Sequence, residues 1–339
     1  MTPKECLETE KKPEHIYPDE KPVVNINLSI CSPEDRPRMI ALVNRLAKSP
    51  QGLEALTIAA ENGYRFNFMA ENRSSNGVTN FRHKRISLNP HRSDDKLIGT
   101  LCHECRHAVQ NTRSSVLNDE DQWDVRSNLR YNRAMEADAQ ACAVTACKEL
   151  ALQGDDKPYQ EFKTYYPEIE QAFDQAYQAA GNKVTKDVMT KAFEGWYDQS
   201  RIMTLYEQSY LLRRMANDLK WTAQGTQGRS FDHTVSAQQT IKEITQTKDG
   251  NYFTDDPEIL NGGKYMAVTE NTMDQMKKYV DYRKELTGKD LSEILDGIPT
   301  RANVTVPDMI EITKPEKREG QNSVARIALM QRLTSKKRR

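Results

Sequence analysis

The 339-residue sequence has no long apolar run, so it offers no segment of the roughly 18 residues that a membrane-spanning helix needs. Its N-terminus lacks the apolar stretch of a secretory signal, which predicts synthesis and folding in a cytosol. Basic and acidic residues both number 49, and this balance gives no support to nucleic acid as the main partner. We find no internal repeat and no phosphate-binding glycine motif.

Cysteine is also scarce, with six residues, and without a secretory signal these predict free thiols rather than a disulfide framework. Cys102 and Cys105 form a C-x-x-C pair, but both fall on the apolar side of a predicted helix. Buried core thiols are therefore favoured over a redox pair. A zinc finger built from these cysteines with His103 would need ligands on opposite faces of the helix, which disfavours that interpretation.

The most informative segment present runs from His103 to His107 and reads H-E-C-R-H, an H-E-x-x-H motif inside a predicted helix. His103 and His107 lie one turn apart on one face, so both imidazoles can reach one zinc ion with Glu104 beside them. Ser93 predicts the N-cap of this helix. An apolar stripe on the side away from the histidines predicts its buried face: Leu97, Ile98, Leu101, Cys102, Cys105, Ala108 and Val109. The alternative is a chance match between core histidines.

A third metal ligand is expected downstream, because zinc in hydrolases usually takes three protein ligands and keeps one position open. A helix-forming run from about Asp119 to Leu152 offers Glu136 and Asp138, which lie about 200° apart on the helical wheel. Only one of them can face the metal. We choose Glu136, and the many alanines around it would allow close approach to the first helix. The alternative is that Glu136 is an ordinary solvated glutamate.

The segments Arg85–Pro90, Leu101–Gln110 and Arg133–Ala139 resemble bacterial metallopeptidases with the signature H-E-x-R-H followed by E-A-D-A. This gluzincin-like resemblance covers about residues 60–150 and extends more weakly to Asp249–Tyr252. It implies a zincin-like catalytic core with Zn²⁺ on His103, His107 and Glu136, and with Glu104 as the catalytic base. One departure is Gln140. Many gluzincins carry an aspartate there, so the sequence leaves open which group orients the histidines.

Among such peptidases are effectors that intracellular bacteria deliver into host cells, and one of similar motif cleaves actin. The resemblance therefore implies a protein substrate, with a host cytoskeletal protein as the leading example. It also implies delivery from the bacterial cytoplasm to the host-cell cytosol by a specialised secretion system.

Peptide hydrolysis needs a proton shuttle and a donor for the oxyanion of the tetrahedral intermediate. Glu104 can take a proton from water and return it to the leaving amine. Arg106 is expected to pair with an acid on a neighbouring helix and has no assigned chemistry. The sequence does not choose among four candidate oxyanion donors, namely Tyr131, Tyr206, Tyr210 and His233.

Two short alternating segments, Tyr64–Met69 and Lys84–Leu88, predict strands before the metal helix, with a turn-rich loop at Asn72–Gly77 between them. Zincins bind peptide by adding it to a sheet, so an edge strand is expected to hold substrate. The alternative is a pair of framework strands without peptide contact.

The predicted fold class is α+β, mainly α: a zincin-like core of a small sheet and two metal-ligand helices, with additional helices and a C-terminal lobe. We predict a flexible N-terminal tail over residues 1–30, a metallopeptidase domain over 31–225 and a substrate-selection lobe over 226–313. Deleting residues 231–339 is expected to leave a zinc-binding core that no longer cleaves the physiological protein. Residues 314–339 form a basic tail, either solvated or acting as an anionic-surface, nuclear or delivery signal.

Three functions are compatible with the sequence. The first is a zinc endopeptidase that acts on one or a few proteins. The second is a zinc-binding regulatory or docking protein whose peptidase-like site is inactive. The third is a helical interaction scaffold with a fortuitous motif.

Overall fold

A computed structural model describes residues 17, 18, 20–70, 75–226 and 228–315 of the chain. The fold is mainly helical with small sheets, as the α+β, mainly α prediction states. The first part of the predicted N-terminal tail, half of the predicted loop Asn72–Gly77 and nearly all of the predicted basic tail lie outside these residues. The described α-helices are α1 (Arg36–Leu46), α2 (Pro50–Glu61), α3 (Asp94–Arg113), α4 (Val125–Leu152), α5 (Lys157–Tyr165), α6 (Pro167–Ala179), α7 (Lys186–Trp196), α8 (Ser200–Tyr206), α9 (Arg213–Ala223), α10 (Ala237–Ile244), α11 (Gly263–Met266) and α12 (Glu270–Thr287).

A three-stranded sheet precedes the H-E-x-x-H helix. It consists of β1 (Arg65–Phe68), β2 (Gly77–Asn80) and β3 (Arg85–Leu88), in the order β1-β3-β2. β1 runs parallel to β3, whereas β2 is antiparallel to it. β1 and β3 confirm the two predicted strands. The sequence pattern does not predict β2, which occupies the edge of the sheet that contacts α3. Two small two-stranded sheets follow, β4 (Gln246–Thr247) with β5 (Gly250–Asn251) and β6 (Val268–Thr269) with β7 (Thr300–Arg301).

Capping side chains fix where the two central helices begin. Ser93 Oγ accepts the backbone N–H of Lys96 at 3.3 Å, which confirms the predicted N-cap of α3. Asp124 Oδ1 accepts the N–H of Ser127 at 2.6 Å, so α4 begins at Val125. The preceding Leu117–Gln122 forms a 3₁₀ helix instead of the first turn of the longer predicted helix. Caps of this kind stabilise a helix by about 1 kcal/mol each.

α3 packs along α4 in the middle of the molecule. Every residue of the predicted apolar stripe on α3 is at most 1% exposed. Small side chains allow a close approach between the helices: Cys102 Sγ reaches the carbonyl oxygen of Cys142 at 3.6 Å, and Ala137 and Ala141 are fully buried. The cysteines of the described part are all free and buried, namely Cys31, Cys102, Cys105, Cys142 and Cys147.

Two apolar clusters form the core. The larger one surrounds α3 and α4, and it includes Ile241, Ile244 and Tyr252 from beyond residue 225. The smaller one joins α9 and α12 to the first turns of α4. Within the stretch predicted as an N-terminal tail, Val24 and Ile26 are buried in the larger cluster. No helix in the described part of the chain has the length and apolar character needed to span a bilayer.

Candidate active site

The structure brings His103, His107 and Glu136 together in the interior, where α3 faces α4. The Nε2 atoms of the two histidines lie 3.0 Å apart. Glu136 places one carboxylate oxygen 3.3 Å from Nε2 of His103 and the other 3.6 Å from Nε2 of His107. The three side chains are buried, and their candidate ligand atoms all lie within 4.8 Å of one another. This geometry matches the space that a single metal ion requires.

Hydrogen bonds around Gln110 set the orientation of His107. The Gln110 amide nitrogen donates to the carbonyl oxygen of Met135 at 2.9 Å and to Asp138 Oδ2 at 2.7 Å. Both of these oxygens can act only as hydrogen-bond acceptors. Its oxygen therefore faces Nδ1 of His107, 2.7 Å away, and that nitrogen must carry the proton. In a neutral ring, the lone pair is then on Nε2, which points at Glu136 and His103.

The electrostatics of the cluster favour an added positive charge. Burial opposes a charge on His107, yet Glu136 outweighs this effect and raises the pKa of His107 to about 9. Burial would raise the pKa of the Glu136 carboxyl, but the two histidines hold it well below its usual range. Such a site keeps its carboxylate ionised and pairs it with a cation.

Glu104 follows His103 in the sequence but lies to one side of the cluster. Its Oε2 accepts a hydrogen bond from the Thr79 hydroxyl on β2 at 2.7 Å. A Cβ atom placed on Gly77 would come within 2.7 Å of Glu104 Oε1, so only glycine leaves this oxygen its space. Glu104 and His103 line a cavity of about 210 Å³. One carboxylate oxygen is thus fixed by Thr79, the other packs against Gly77, and the side chain forms part of the cavity wall.

Asp138 lies on the other side of α4 and binds Arg106. The Arg106 guanidinium donates to both carboxylate oxygens of Asp138, at 2.6 and 3.0 Å. Both side chains are at most 1% exposed. This contact confirms the expected pairing of Arg106 with an acid on a neighbouring helix. Asp138 also accepts hydrogen bonds from Gln110 and from the hydroxyl of Tyr252. It therefore fixes Gln110, which in turn orients His107.

The four candidate oxyanion donors fall into two groups. The hydroxyls of Tyr206 and Tyr210 donate to the two oxygens of Glu136, at 2.8 and 3.2 Å. Their rings stack with centroids 5.5 Å apart, where α8 continues into a π-helical segment, Glu207–Leu212. Tyr131 instead donates to Glu243 at 2.6 Å, and His233 forms a backbone bridge with Trp123. Of the four, only Tyr206 is among the described residues that line the cavity.

Several residues at the site could not be recognised in the sequence. Thr79 and Gly77 lie on β2, the strand without a pattern of its own. Tyr166 and Lys96 line the cavity without belonging to any motif. Gln110 did carry a signal, because it is three residues after His107 and therefore on the same face of α3.

Comparison with known proteins gives one match. A family model described as "Putative metallopeptidase family (DUF6782)" matches residues 24–224, which include the whole His103, His107 and Glu136 cluster. No curated protein and no solved structure matches the chain.

Proposed function

Because the chain belongs to this metallopeptidase family, we propose that it is a zinc-dependent endopeptidase that cleaves one or a few specific proteins. One observation carries the proposal: three buried ligand atoms, from His103, His107 and Glu136, converge within 4.8 Å beside a cavity that Glu104 lines. A metal site that serves only as structural support has no need of a carboxylate held at its open side.

The donor set fits zinc. Two imidazole nitrogens and one carboxylate are the ligands of many catalytic zinc sites, which keep the fourth position open. The proton on Nδ1 of His107 leaves the Nε2 lone pair directed into the cluster. Gln110 and Asp138 take the orienting role that the sequence left open at Gln140. When bound, zinc would supply Lewis acidity, lowering the pKa of a water molecule toward 7 and polarising the scissile carbonyl.

In the proposed reaction, Glu104 is the general base and then the general acid. Its carboxylate takes the proton from the attacking water and hands it to the amine that leaves. The Thr79 hydroxyl holds one oxygen of Glu104, and the side chain lines the cavity in which the attacking water would lie. Tyr206 is our candidate for the oxyanion donor, because its side chain lines the cavity beside the cluster; its hydroxyl proton, which Glu136 accepts here, would turn to the oxyanion in the reaction.

We further propose that peptide binds along β2. This strand is at the edge of the sheet, and in the described part of the chain no strand pairs with its other side. Ser75, Asn76 and Gly77, at and just before its start, line the cavity. A substrate segment could extend the sheet there through backbone hydrogen bonds, which would carry its scissile bond past Glu104.

The resemblance extends this proposal to a gluzincin-type effector that acts in a host-cell cytosol, and actin is the first substrate to test. The C-terminal region 226–313 would contribute selectivity through contacts remote from the metal.

Glu104→Gln tests the proposal, since it preserves shape while removing the base. We expect the purified variant to retain one zinc per chain and to lose at least about 100-fold of its activity. The measurement is mass spectrometry of new protein N-termini in a cell lysate treated with the wild type or with the variant, with purified actin in parallel. The endopeptidase assignment would be overturned if the wild type and the variant gave the same new N-termini, or if the zinc-loaded wild type gave none.

A further inference from the structure

The cavity beside Glu104 continues along α3 toward the first turn of that helix. Lys96, Thr100 and His103 all line it, and their spacing of four and three residues places them on one face. At a rise of about 1.5 Å per residue, Lys96 lies about 10 Å from His103 along the helix axis. The cavity is therefore longer than the metal cluster and Glu104 require.

Lys96 closes the far end with a buried ammonium group. The residue is only 8% exposed, although lysine is almost never this buried without a paired charge. Its ammonium lies over the ring of Tyr165, with the ring of Tyr166 5.9 Å away. Among the described residues, it forms no ion pair and no side-chain hydrogen bond. Pro158 and Phe162 add apolar walls to this end of the cavity.

The surroundings of Lys96 do little to stabilise a positive charge on its amine. Burial lowers the pKa of its amine to about 7, with Glu161 acting against this effect and Arg92 adding to it. Glu161 also lines the cavity, but it does not reach ion-pair distance of the ammonium. Lys96 is the only lysine or arginine among the described residues that line the cavity. A carboxylate entering from the cavity would give this cation an anionic partner, which the described part of the chain does not supply.

We propose that the Lys96 end of the cavity is a subsite for a carboxylate of the substrate, supplied by an aspartate or glutamate side chain. The inference rests on the proposed peptidase function. An extended peptide advances about 3.3 Å per residue, so the acidic residue would lie within about three residues of the scissile bond. A terminal carboxylate has the same chemistry, and the experiment below separates the two sources.

The test uses a proteome-derived peptide library and two readouts. In the first, the zinc-loaded wild type cleaves the library, and mass spectrometry gives the residue preference at each position around the cleaved bond. In the second, immobilised Glu104→Gln retains peptides without cleaving them, and the retained pool is sequenced. We expect Asp and Glu to exceed Asn and Gln by about tenfold or more at one position in both readouts.

Lys96→Met should abolish that preference while cleavage of non-acidic peptides continues. Methionine has a similar length, and replacing a buried charge by an apolar side chain favours folding. Lys163→Met is the matched control, since this α5 lysine is 57% exposed and does not line the cavity. It should leave the preference unchanged.

The outcomes separate the inference from the proposed function. Absence of any cleavage by the zinc-loaded wild type contradicts the peptidase, whereas the retained pool still reports on the subsite. A pool without acidic enrichment, or an enrichment that survives Lys96→Met, overturns the subsite. An enrichment that disappears when the library is amidated at its C-termini would assign the carboxylate to the chain end and overturn the side-chain assignment.

Discussion

Gln110 connects a candidate metal ligand to the buried Arg106–Asp138 pair through one amide group. It accepts from His107 on one side and donates to Asp138 on the other. The Arg106–Asp138 ion pair is almost completely buried and therefore held in place. Because the Gln110 amide is bound to Asp138, it in turn holds the imidazole ring of His107 in one orientation. Partners of this kind in metal sites hold the ligand in one tautomer and one orientation.

Gln110→Ala should weaken zinc binding by about 10- to 100-fold, because His107 loses the group that fixes its proton on Nδ1. The measurement is a competition titration against a chelator, with circular dichroism to show that the helices remain. Asn111→Ala is the matched control, since the neighbouring Asn111 donates to Tyr64 and not to the cluster. Equal zinc affinities for the two variants would contradict the role given to Gln110.

Lys96 affects stability in a pH-dependent way. Its pKa falls from 10.5, the ordinary value of an exposed lysine, to about 7 in the folded chain. Between pH 7 and 10, the unfolded chain binds more protons than the folded one, so this group makes the native state more stable as the pH rises. Below pH 7 the full cost of burying the charged amine is present. Glu161 and Arg92, which also influence this pKa, are unchanged in a Lys96 variant.

Lys96→Met should therefore raise the melting temperature most at pH 7 and below, and the gain should shrink toward pH 10. Thermal unfolding of the wild type and the variant across this range measures the difference. Lys163→Met, on an exposed lysine, should show no such trend. A melting-temperature difference that stays constant from pH 6 to 10 would show that Lys96 is not charged and buried in the way described.

At the scale of elements, β2 and α3 approach so closely that one residue of the strand must lack a side chain. A Cβ on Gly77 would lie 2.7 Å from both Glu104 Oε1 and Thr100 Cγ2. The Glu104 carboxylate is the more easily displaced of these two neighbours. The strand thus positions the proposed base by two means, the Thr79 hydroxyl and the space at Gly77.

Gly77→Ala is expected to lower peptidase activity by about tenfold or more while zinc remains bound, because the added methyl group pushes Glu104 from its position. Activity and zinc content are measured on the same preparation. Gly263→Ala serves as the control, since a Cβ there meets no atom within 4 Å. Unchanged activity in Gly77→Ala would mean that Glu104 does not need this position.

The contrast between α3 and β2 explains which parts of the fold the sequence could predict. α3 is set by local signals: a cap at Ser93, a stripe of apolar residues and the four-residue spacing of its histidines. β2 has only four residues, and its ladder with β3 and its contact with Glu104 come from tertiary structure. Short strands of mixed polarity carry little periodic signal. The placement of Tyr206 and Tyr210 beside Glu136 likewise depends on how distant helices pack.

At the scale of the whole molecule, the family match ends at residue 224, but the buried contacts continue beyond it. Arg106 donates to the carbonyl oxygens of Ile244 and Gln246, at 3.0 and 2.8 Å. Arg133 donates to those of Tyr265 and Ala267, at 2.7 and 3.1 Å. The boundary between a domain over 31–225 and a lobe over 226–313 remains a prediction, and these contacts argue against separating the two.

Deletion of residues 231–339 is therefore expected to unfold the protein, rather than to leave the zinc-binding core that the sequence suggested. Arg106 and Arg133 would each lose buried acceptors, and an unsatisfied buried group costs about 1–3 kcal/mol or more when charged. Tyr131 would also lose Glu243, its buried partner. These losses, with the lost apolar contacts, are large beside a total stability of about 5–15 kcal/mol. Thermal unfolding followed by circular dichroism, with zinc analysis, measures the outcome.

Deletion of residues 316–339 is the control and removes none of these contacts. A cooperatively folded, zinc-binding product from the longer deletion would show that residues 226–313 form a separate lobe.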